Sequence, residues 1–457
     1  MTEYTLFIYR RDLRVVDNNG LNYAMKEFDN IIPIFIFTPE QVGTKNKFKS
    51  DNAIQFMCES LIELDNDLKK YGSKLHIFQG ENNRILSNIL SLINVKNVVY
   101  NMDYTPYAIK RDKMIKSLCK KKQVQCIEIE DYLLNKIGTI LKPNREPYTV
   151  FTPFKNRGLT NDVLKPSKSR VKNLVTNNNL PTTNMINYQI NSNILVRGGR
   201  KQGIKMLKRV KNHKNYGKVR NILSIKSTEL SAYIKFGCVS IREVYWMVHK
   251  VNGLNSTLMS QLYWREFYYY ITFYFPRVLK GKNFNPKYDG IDWVKSKGNF
   301  KKWCEGKTGY PIVDAGMRQL NETGYMHNRA RLITANFLNR MLGYNWTLGE
   351  KYYATQLTDY DPAVNNGNWQ WIASTGTDPK PYFQRLFNPI IQSEKFDPDA
   401  KYIKTWLPQL KNIPAADLHK WNTRYINYDL AKINYIAPIV DYKEARKKSV
   451  EMYRKVL

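Results

Sequence analysis

Five short apolar runs alternate with segments of helical period in residues 1–130, and this alternation is the strongest constraint on the fold. The runs are Tyr4–Tyr9, Ile31–Phe37, Leu75–Phe78, Val98–Tyr100 and Val124–Ile129. Strands that alternate with helices form a parallel sheet covered on both faces. The sequence therefore predicts a parallel, doubly wound α/β domain at the start of the chain. No G-x-G-x-x-G follows the first run, so a Rossmann dinucleotide site is not expected there.

The segment after the second run shows the helical period most clearly. Its apolar positions recur every three or four residues, at Ile54, Met57, Leu61, Leu64 and Leu68. Ser50 or Asp51 can cap its start, and Gly72 can end it. One face of this helix is therefore predicted to lie on the sheet.

The length and charge of the chain constrain its organisation and its partners. The chain has 457 residues, 43% of them hydrophobic, which predicts more than one core. Lys and Arg number 72 against 39 Asp and Glu, a net charge of +33, which favours a polyanion such as nucleic acid as partner. Because Lys is scattered along the whole chain, a Lys- and Asn-rich coding bias would produce the same charge.

The cysteines and the hydropathy argue against several other classes. The five cysteines are odd in number and lack the spacing of metal ligands, so neither a disulfide framework nor a metal site is predicted. No stretch approaches the roughly 20 apolar residues of a membrane span, and no signal peptide is recognisable. We expect a soluble, intracellular monomer, in the cytoplasm or nucleus.

A change of composition marks the domain boundary. Between Lys155 and Ser192 the chain is polar and rich in Asn, Lys, Ser, Thr and Pro, which is typical of a long connection. Beyond it, aromatic-rich segments of helical spacing predominate, notably Leu258–Phe275 and Tyr310–Leu342. We predict an α/β domain over residues 1–135, a linker over 136–199 and an all-helical domain over 200–457.

The region from Trp303 to Trp406 carries the densest chemical signal. Acidic and amide side chains of the D-Y-D-P-A-V-N-N-G-N-W-Q-W run at 359–371 stand beside two tryptophans. A helical domain of this kind can pack a large planar cofactor and hydrogen-bond its polar edge. Core aromatics with capping carboxylates would give the same pattern, so spacing alone leaves both interpretations open.

Several motifs resemble those of class I photolyases in the photolyase/cryptochrome family. They are E-G-K-T-G-Y-P at 305–311, M-H-N-R-A-R at 326–331, N-N-G-N-W-Q-W-I-A-S-T-G-T-D at 365–378, F-N-P at 387–389, E-K-F-D-P at 394–398, Y-R-R-D-L-R at 9–14 and F-T-P-F-K at 151–155. The resemblance covers nearly the whole chain. It implies an N-terminal antenna domain, FAD held in a folded form in the helical domain, and light-driven repair of UV-damaged DNA.

The resemblance also implies roles for individual residues at the cofactor. Those matching the family's FAD-binding positions are Tyr216, Ser227, Thr228, Glu229, Leu230, Ser231, Arg331, Asp359, Asp361 and Asn365. Asn365 matches the side chain that faces the reactive flavin nitrogen, and an amide there can hydrogen-bond either form of a reduced flavin. Trp369, Trp346 and Trp293 match a chain of indoles that carries an electron from the surface to the flavin.

On the lesion side, the resemblance implies stacking and polar contacts to a flipped pyrimidine pair. The matching residues are Gln261, Trp264, Asn328, Arg329, Leu332, Trp371 and Arg385. Gln261 stands where cyclobutane-dimer photolyases usually carry Glu, and Leu332 where they usually carry Met. Glutamine at position 261 resembles the residue found in (6-4) photolyases. Those enzymes, however, carry His at the positions of Asn328 and Leu332, so this chain departs from their pattern there. We expect cyclobutane dimers as substrate, with (6-4) products as the alternative.

Two further questions stay open at this point. The N-M-D-Y-T-P-Y-A loop at 101–108 resembles the antenna side of the family but lacks the polar pair typical of folate-binding members. A deazaflavin, a second flavin or no antenna chromophore remain alternatives to folate. A cryptochrome-type light receptor without repair activity and a flavin-free nucleic-acid scaffold are the competing functions.

Overall fold

The α/β domain is built on a five-stranded sheet in a computed structural model that describes residues 2–168, 170–377 and 386–456. All four strand pairs are parallel, in the order β3-β2-β1-β4-β5. The strands are β1 (Tyr4–Tyr9), β2 (Ile31–Phe37), β3 (His76–Gln79), β4 (Val95–Asn101) and β5 (Gln125–Ile129). The predicted doubly wound domain is confirmed, and each predicted strand is present.

Both faces of this sheet are buried, which explains why the strands read as continuous apolar runs. Leu6 and Ile8 of β1 contact one apolar cluster, and Phe7 and Tyr9 contact another on the opposite face. The helices of this domain are α1 (Asn19–Glu27), α2 (Pro39–Val42), α3 (Asp51–Lys69), α4 (Asn82–Leu92) and α5 (Pro106–Lys121). Ser50 caps α3 by accepting a hydrogen bond from the Ala53 N–H at 3.1 Å, as the sequence predicted.

The polar connection runs along the edge of the sheet before it reaches the second domain. The Ile31 N–H donates to the Asn173 carbonyl at 2.8 Å, and the Val175 N–H donates to the Ile31 carbonyl at 2.9 Å. Further on, the Thr183 N–H donates to the Ile77 carbonyl at 2.7 Å. Asn, Ser and Thr suit such a segment because its backbone groups must find partners without regular secondary structure.

Helices make up the regular structure in the described part of the second domain. The connection and this domain contain α6 (Phe151–Gly158), α7 (Arg200–Lys208), α8 (Tyr216–Val219), α9 (Ser231–Lys235), α10 (Ile241–Asn252), α11 (Thr257–Tyr274), α12 (Gly298–Cys304), α13 (Pro311–Thr323), α14 (Asn328–Asn336), α15 (Trp346–Gln356), α16 (Pro362–Ile372), α17 (Pro389–Phe396), α18 (Lys401–Trp406), α19 (Ala415–His419), α20 (Trp421–Arg424) and α21 (Tyr442–Arg454). Short 3-10 turns cover Arg209–His213, Pro276–Lys280, Pro286–Gly290, Pro408–Leu410 and Tyr425–Asn427, and a π-turn covers Phe337–Met341. The helical class predicted for this domain is confirmed.

The predicted helical segment Tyr310–Leu342 is divided into separate elements. Gly324 follows α13 with a φ of +65°, a left-handed conformation that ends a helix at low cost in a residue without Cβ. The next helix, α14, begins at Asn328, where the His327 side chain accepts a hydrogen bond from the Arg329 N–H at 3.1 Å. The periodicity continues across this break, which is why the sequence pattern did not reveal it.

Buried ion pairs join the two domains. Arg242 of α10 contacts Asp131 at 2.7 Å and Asp17 at 3.2 Å, and Arg14 contacts Asp131 at 2.6 Å. All four side chains are at most 5% exposed, so each charge depends on its partners for compensation. Among the described helices, none combines the length and hydropathy needed to cross a membrane.

Candidate active site

A cavity of about 430 Å³ lies among the helices of the second domain. Its walls come from the segment before α9 and from α11, α14 and α16, and most of the residues assigned from the sequence line it. These are Tyr216, Ser227, Thr228, Glu229, Leu230, Ser231, Gln261, Trp264, Asn328, Arg331, Leu332, Asp359, Asp361, Asn365, Trp369 and Trp371. Of the other assigned residues, Trp293, Trp346 and Arg329 are not part of the wall, and Arg385 lies outside the described residues.

The 227–231 segment forms one end of the cavity. The Ser227 hydroxyl lies 2.7 Å from the Tyr325 hydroxyl, and Ser231 is the first residue of the short helix α9. Glu229 has a φ of +54°, a conformation uncommon for a residue with a side chain. Burial raises the pKa of its carboxyl. This segment therefore presents hydroxyl groups and the free N–H groups of a helix start to the cavity.

Asp359 and Arg331 form the ion pair that the resemblance implied. One guanidinium nitrogen of Arg331 contacts both oxygens of Asp359, at 3.1 and 3.0 Å. The Nε of Arg331 donates to the Met326 carbonyl at 2.9 Å, which fixes the guanidinium plane against the start of α14. The pair presents a carboxylate and a cation at fixed positions on the cavity wall.

Asp361 has a more complex set of contacts than the sequence suggested. Its Oδ1 accepts from two backbone N–H groups at the start of α16, at 3.1 and 3.3 Å. Its Oδ2 accepts from Arg11 at 2.5 Å, from the Tyr269 hydroxyl at 2.6 Å and from the Tyr132 hydroxyl at 3.1 Å. Burial alone would raise the pKa of Asp361, but Arg11 and Arg265 outweigh it and hold that pKa at about 2. Both oxygens are thus engaged by protein groups.

Three cations near Asp361 were missed in the sequence. Arg11 follows β1, Lys235 ends α9 and Arg265 lies on α11. The only sequence signal of Arg11 and Arg265 was membership of the R-R-D and W-R-E runs, and Lys235 lies in neither run. The Nη2 of Arg265 is buried and has no hydrogen-bond partner among the described residues. Burial, together with the neighbouring charge of Arg11, lowers the pKa of Lys235 to about 7.

This surplus of buried positive charge fits an anionic cofactor. Arg265 and Lys235 line the cavity, whereas Asp361 is already paired with Arg11. A buried guanidinium N–H without an acceptor is costly unless a ligand completes it. Together with the hydroxyl groups of the 227–231 segment, these donors match the diphosphate of FAD, while aromatic and amide groups on α16 match a planar ring with a polar edge.

Asn365 projects into the cavity from α16 and is held by α15. Its side-chain Nδ2 donates to the backbone carbonyl of Glu350 at 3.1 Å, which fixes the orientation of the amide. The neighbouring Asn366 donates to the Glu350 carboxyl at 3.1 Å. Burial raises the pKa of Glu350 to about 7, so a titratable group lies directly behind the amide.

The three assigned tryptophans differ in depth. Trp369 is 2% exposed and lines the cavity, Trp346 is 1% exposed and donates from its indole N–H to Asn283 at 2.8 Å, and Trp293 is half-buried. The ring of Trp369 lies 4.8 Å from Tyr353, and that of Trp293 lies 6.0 Å from Tyr453. Trp369 therefore lies at the cavity, Trp346 is buried away from the cavity wall, and Trp293 is the one of the three that is partly exposed.

The lesion-side residues lie at one end of the cavity. Trp264 stacks on Phe151 of α6, with ring centroids 3.6 Å apart and planes within 6°. The Gln261 side chain donates to the Thr257 carbonyl one turn earlier, at 3.2 Å, which constrains its amide. Asn328 and Leu332 are one turn apart on α14 and line the same cavity as Gln261.

Arg329 is directed away from this group. Its guanidinium donates to Asn221 at 2.8 Å and to Gln392 at 3.3 Å, and it lies 4.3 Å from the centre of the Phe396 ring. Burial lowers its pKa to about 10. The guanidinium of Arg329 thus ties α14 to α17 in the described structure.

Comparison with known proteins identifies the family of this chain. Residues 5–170 match a family model described as DNA photolyase, and residues 258–455 match one described as the FAD binding domain of DNA photolyase. The deoxyribodipyrimidine photo-lyase of Buchnera aphidicola is 35% identical, over 98% of this chain and 96% of that protein. No metal-ligand cluster occurs among the residues that the structure covers.

Solved structures extend the likeness to the fold. An archaeal photolyase from Sulfolobus tokodaii, described with two FAD molecules, has a TM-score of 0.89 and 38% identity, covering 99% of this chain and 100% of that one. A bacterial class III photolyase from Agrobacterium tumefaciens has a TM-score of 0.90 and 29% identity, covering 100% and 98%. This chain, with its FAD-binding domain, therefore belongs to the DNA photolyase family.

Proposed function

We propose that this protein is a deoxyribodipyrimidine photolyase that splits cyclobutane pyrimidine dimers in UV-damaged DNA, using light and FAD. The observation that carries the proposal is one cavity that combines a cation-rich end, a fixed amide on α16 and stacking tryptophans. When bound and reduced, FAD supplies an electron to the dimer on illumination. The protein's part is to hold cofactor and lesion close together and to exclude water.

At the cofactor, we assign the diphosphate to the 227–231 segment together with Arg265 and Lys235. The unpartnered Nη2 of Arg265 supports this assignment because it needs an acceptor. Tyr216 and the Arg331–Asp359 pair would fix the remaining polar groups of the cofactor. Asp361 would act indirectly, by holding the start of α16 through its cap and its contact with Arg11.

Asn365 would face the reactive nitrogen of the isoalloxazine ring. Its amide can donate or accept but cannot take up a proton, and its orientation is fixed by the Glu350 carbonyl. Trp293, Trp346 and Trp369 would carry an electron inward, in that order, to regenerate the reduced cofactor. The position of Trp369 on the cavity wall and the partial exposure of Trp293 support this direction.

On the substrate side, Trp264 and Trp371 would stack against a dimer that has been flipped out of the duplex. Phe151 covers one face of Trp264, which stiffens the indole as a stacking platform. Asn328 and Gln261 would hydrogen-bond the pyrimidine carbonyl groups, and Leu332 would contribute an apolar contact. An amide at position 261 offers a hydrogen bond but, unlike a carboxylic acid, no transferable proton.

Substrate DNA would be attracted by the overall charge of +33. Arg385, which lies outside the described residues, would add a phosphate contact, as the resemblance implies. Arg329, in contrast, would support the site through α14, because its guanidinium already contacts Asn221 and Gln392.

A second chromophore is a separate part of the proposal. The Sulfolobus tokodaii structure is described with two FAD molecules. In this chain, the Tyr107 hydroxyl lies 3.3 Å from that of Thr38, so the 101–108 loop closes over the end of β2. We favour a second flavin over folate, and the ratio of extracted flavin to protein tests it: two per chain supports a second flavin, and one per chain contradicts it.

The test of function is blue-light repair of two oligonucleotides, one with a cyclobutane thymine dimer and one with a (6-4) product. Purified, photoreduced protein should repair the cyclobutane thymine dimer and leave the (6-4) product unrepaired. Trp264→Ala should lose most of the preference for damaged over intact DNA. Trp246→Ala, which removes an indole that lies outside the cavity wall and contacts the Leu164 carbonyl, is the matched control and should keep it.

The other outcomes decide between the alternatives. Repair of the (6-4) substrate would overturn the choice of lesion. A yellow, photoreducible protein that repairs neither substrate would indicate a cryptochrome-type receptor. A colourless preparation that takes up no FAD would support a flavin-free scaffold.

A further inference from the structure

Trp293 lies at the surface between two segments that are far apart in the chain. One segment is the stretch that contains it, residues 286–297, and the other is α21 near the end of the chain. The ring of Trp293 lies 6.0 Å from that of Tyr453, and both belong to a small apolar cluster that includes Ile291. The partly exposed indole is thus held against α21.

Both segments carry more basic than acidic side chains. Residues 276–297 contain six Lys and Arg against two Asp, and residues 441–457 contain six against three acidic residues. The exposed cations closest in register to the apolar cluster follow Trp293 or Tyr453 along the chain, or precede Val450 and Met452 of that cluster by one helical turn. We call these six the Trp293 patch: Lys295, Lys297, Arg446, Lys448, Arg454 and Lys455.

Carboxylates compensate only part of this charge. Asp289 pairs with Arg277 at 3.1 Å, and Asp441 caps α21 by accepting a backbone N–H at 2.9 Å. The exposed acids that remain in the two segments are Asp292, Glu444 and Glu451. In the part of the chain that the structure describes, no cation of the Trp293 patch forms an ion pair. Exposed cations without counter-charges create a positive potential that concentrates anions and repels cations.

The place of the indole indicates which anion this patch attracts. The lesion-side residues Gln261 and Trp264 line the cavity, whereas among the described residues neither Trp293 nor any residue of α21 does so. The patch therefore surrounds a readily oxidised side chain and not the lesion end of the cavity. A donor from solution must come close to an oxidised indole to reduce it, so a positive potential around Trp293 would favour donors that carry negative charge.

We infer that the Trp293 patch recruits small anionic one-electron donors to the tryptophan chain, an inference that rests on the role proposed above for Trp293. After illumination, oxidised Trp293 has lost one electron to the chain and its indole proton to solvent. The ascorbate monoanion represents the donor class. It returns one electron and one proton, so the indole N–H is restored and the donor leaves as its radical anion.

Fluorescence quenching of the purified full-length protein tests the potential without any light-driven chemistry. The difference between proteins with and without Trp293→Phe isolates the signal of Trp293. Relative to a free tryptophan derivative, iodide should quench this signal at least about threefold more effectively than caesium at low salt. Lys295→Glu with Arg454→Glu should remove that excess. Lys110→Glu with Lys113→Glu, the same change of charge on exposed residues of α5, should keep it.

Flash photolysis tests the reaction with the donor. Decay of the tryptophan radical at increasing ascorbate concentration gives a second-order rate constant. At about 20 mM salt this constant should be at least about fivefold lower in the Lys295→Glu, Arg454→Glu protein than in the parent or the α5 control. At about 500 mM salt the three proteins should agree within about twofold. Dithiothreitol, which is uncharged at pH 7, should react equally with all three.

The outcomes separate this inference from the proposed function. Equal ascorbate rate constants in parent and patch variant at low salt, or iodide quenching that the patch variant leaves unchanged, would overturn the inference. Loss of the iodide excess on addition of undamaged duplex DNA would assign the patch to DNA and would also overturn it. Normal iodide quenching without any tryptophan radical would contradict the proposed electron-transfer chain, and the donor role would fail with it while the positive potential stood.

Discussion

Asp361 illustrates how one carboxylate connects distant parts of this molecule. It caps α16, accepts from two tyrosine hydroxyls and pairs with Arg11, which lies 350 positions away in the chain. A buried carboxylate with this many donors is held in its charged form, and the pKa of about 2 reflects that balance. The contacts make Asp361 a structural anchor for the helix that carries Asn365 and Trp369.

Asp361→Asn should destabilise the protein by about 3 kcal/mol at pH 7, because Arg11 loses its buried counter-charge while the helix cap is retained. The difference in free energy of unfolding between the parent protein and the variant should become smaller as the pH falls. A carboxylate whose folded pKa lies below its unfolded value near 3.9 contributes stability above that value and loses it as the pH falls toward 2. The urea midpoints of parent and variant, measured at pH 7 and at pH 3, test this prediction. An equal difference between the two midpoints at both pH values would contradict it.

Lys235→Met should weaken FAD binding by about tenfold at pH 6, since a buried ammonium group that faces an anion is lost. The free-protein pKa of Lys235 is about 7, so the parent binds FAD best below that pH and must take up a proton to bind above it. The difference between variant and parent should therefore diminish as pH rises. Lys395→Met is the control, because Lys395 lies over the Phe396 ring as Lys235 lies over the Phe236 ring, but Lys395 is exposed. FAD titration of apoprotein by fluorescence gives the affinities.

At the scale of elements, close packing of α15 and α16 sets the position of the tryptophans. Gly349 of α15 faces Trp369 of α16 so closely that a Cβ at position 349 would lie 2.2 Å from the indole and 2.6 Å from the Leu338 side chain. Both neighbours are fully buried. Glycine is required here for the approach of the two helices and not for its backbone conformation.

Gly349→Ala should therefore cost about 1–3 kcal/mol and slow light-driven reduction of bound FAD, because Trp369 must shift. Gly298→Ala is the control, since a Cβ at the first residue of α12 meets nothing within 4 Å. That change should be neutral or slightly stabilising. Thermal unfolding and flavin bleaching under blue light measure the two effects, and normal values for Gly349→Ala would show that the helices separate without cost.

At the scale of the whole molecule, buried charges hold the domains together. Arg242 comes from the helical domain, whereas Asp17 and Asp131 come from the α/β domain. Burial opposes ionisation of Asp131, yet Arg14 and Arg242 lower its pKa. Such a cluster favours one relative position of the two domains, because moving one domain against the other would leave a buried charge without its partner.

Arg242→Met should destabilise the domain interface by about 3–5 kcal/mol and allow the domains to unfold separately. Tryptophan fluorescence is the appropriate probe of the helical domain, and far-UV circular dichroism reports on both domains together. The two urea transitions should coincide in the parent protein and separate in the variant. Coincident transitions in the variant would indicate that apolar contacts alone keep the domains together.

Affinity for undamaged duplex DNA should fall steeply with salt if the charge of +33 is arranged on a DNA-binding surface. A protein that neutralises six to ten phosphates would bind DNA about a thousandfold more weakly, or weaker still, at 200 mM than at 50 mM salt. Fluorescence anisotropy at several salt concentrations gives the slope. A slope corresponding to one or two phosphates would support coding bias as the origin of the charge.

Much of the architecture was determined by the sequence alone. The strands were predictable because a strand buried on both faces must be apolar along its length, as Ile31–Phe37 is, and α3 was predictable because its core positions repeat every three or four residues. The motif run at 359–371 indicated the cavity wall, because helix periodicity brings Asp361, Asn365 and Trp369 to related positions on α16.

The tertiary structure alone decided which charges meet. Nothing in the local pattern of Y-R-R-D-L-R indicates that Arg11 reaches Asp361, or that Arg242 pairs with Asp17 and Asp131. Periodicity reports which face of an element is buried, whereas an ion pair depends on where two elements distant in sequence come together in space. The same reason hid the unpartnered Arg265 nitrogen, which arises from packing between elements.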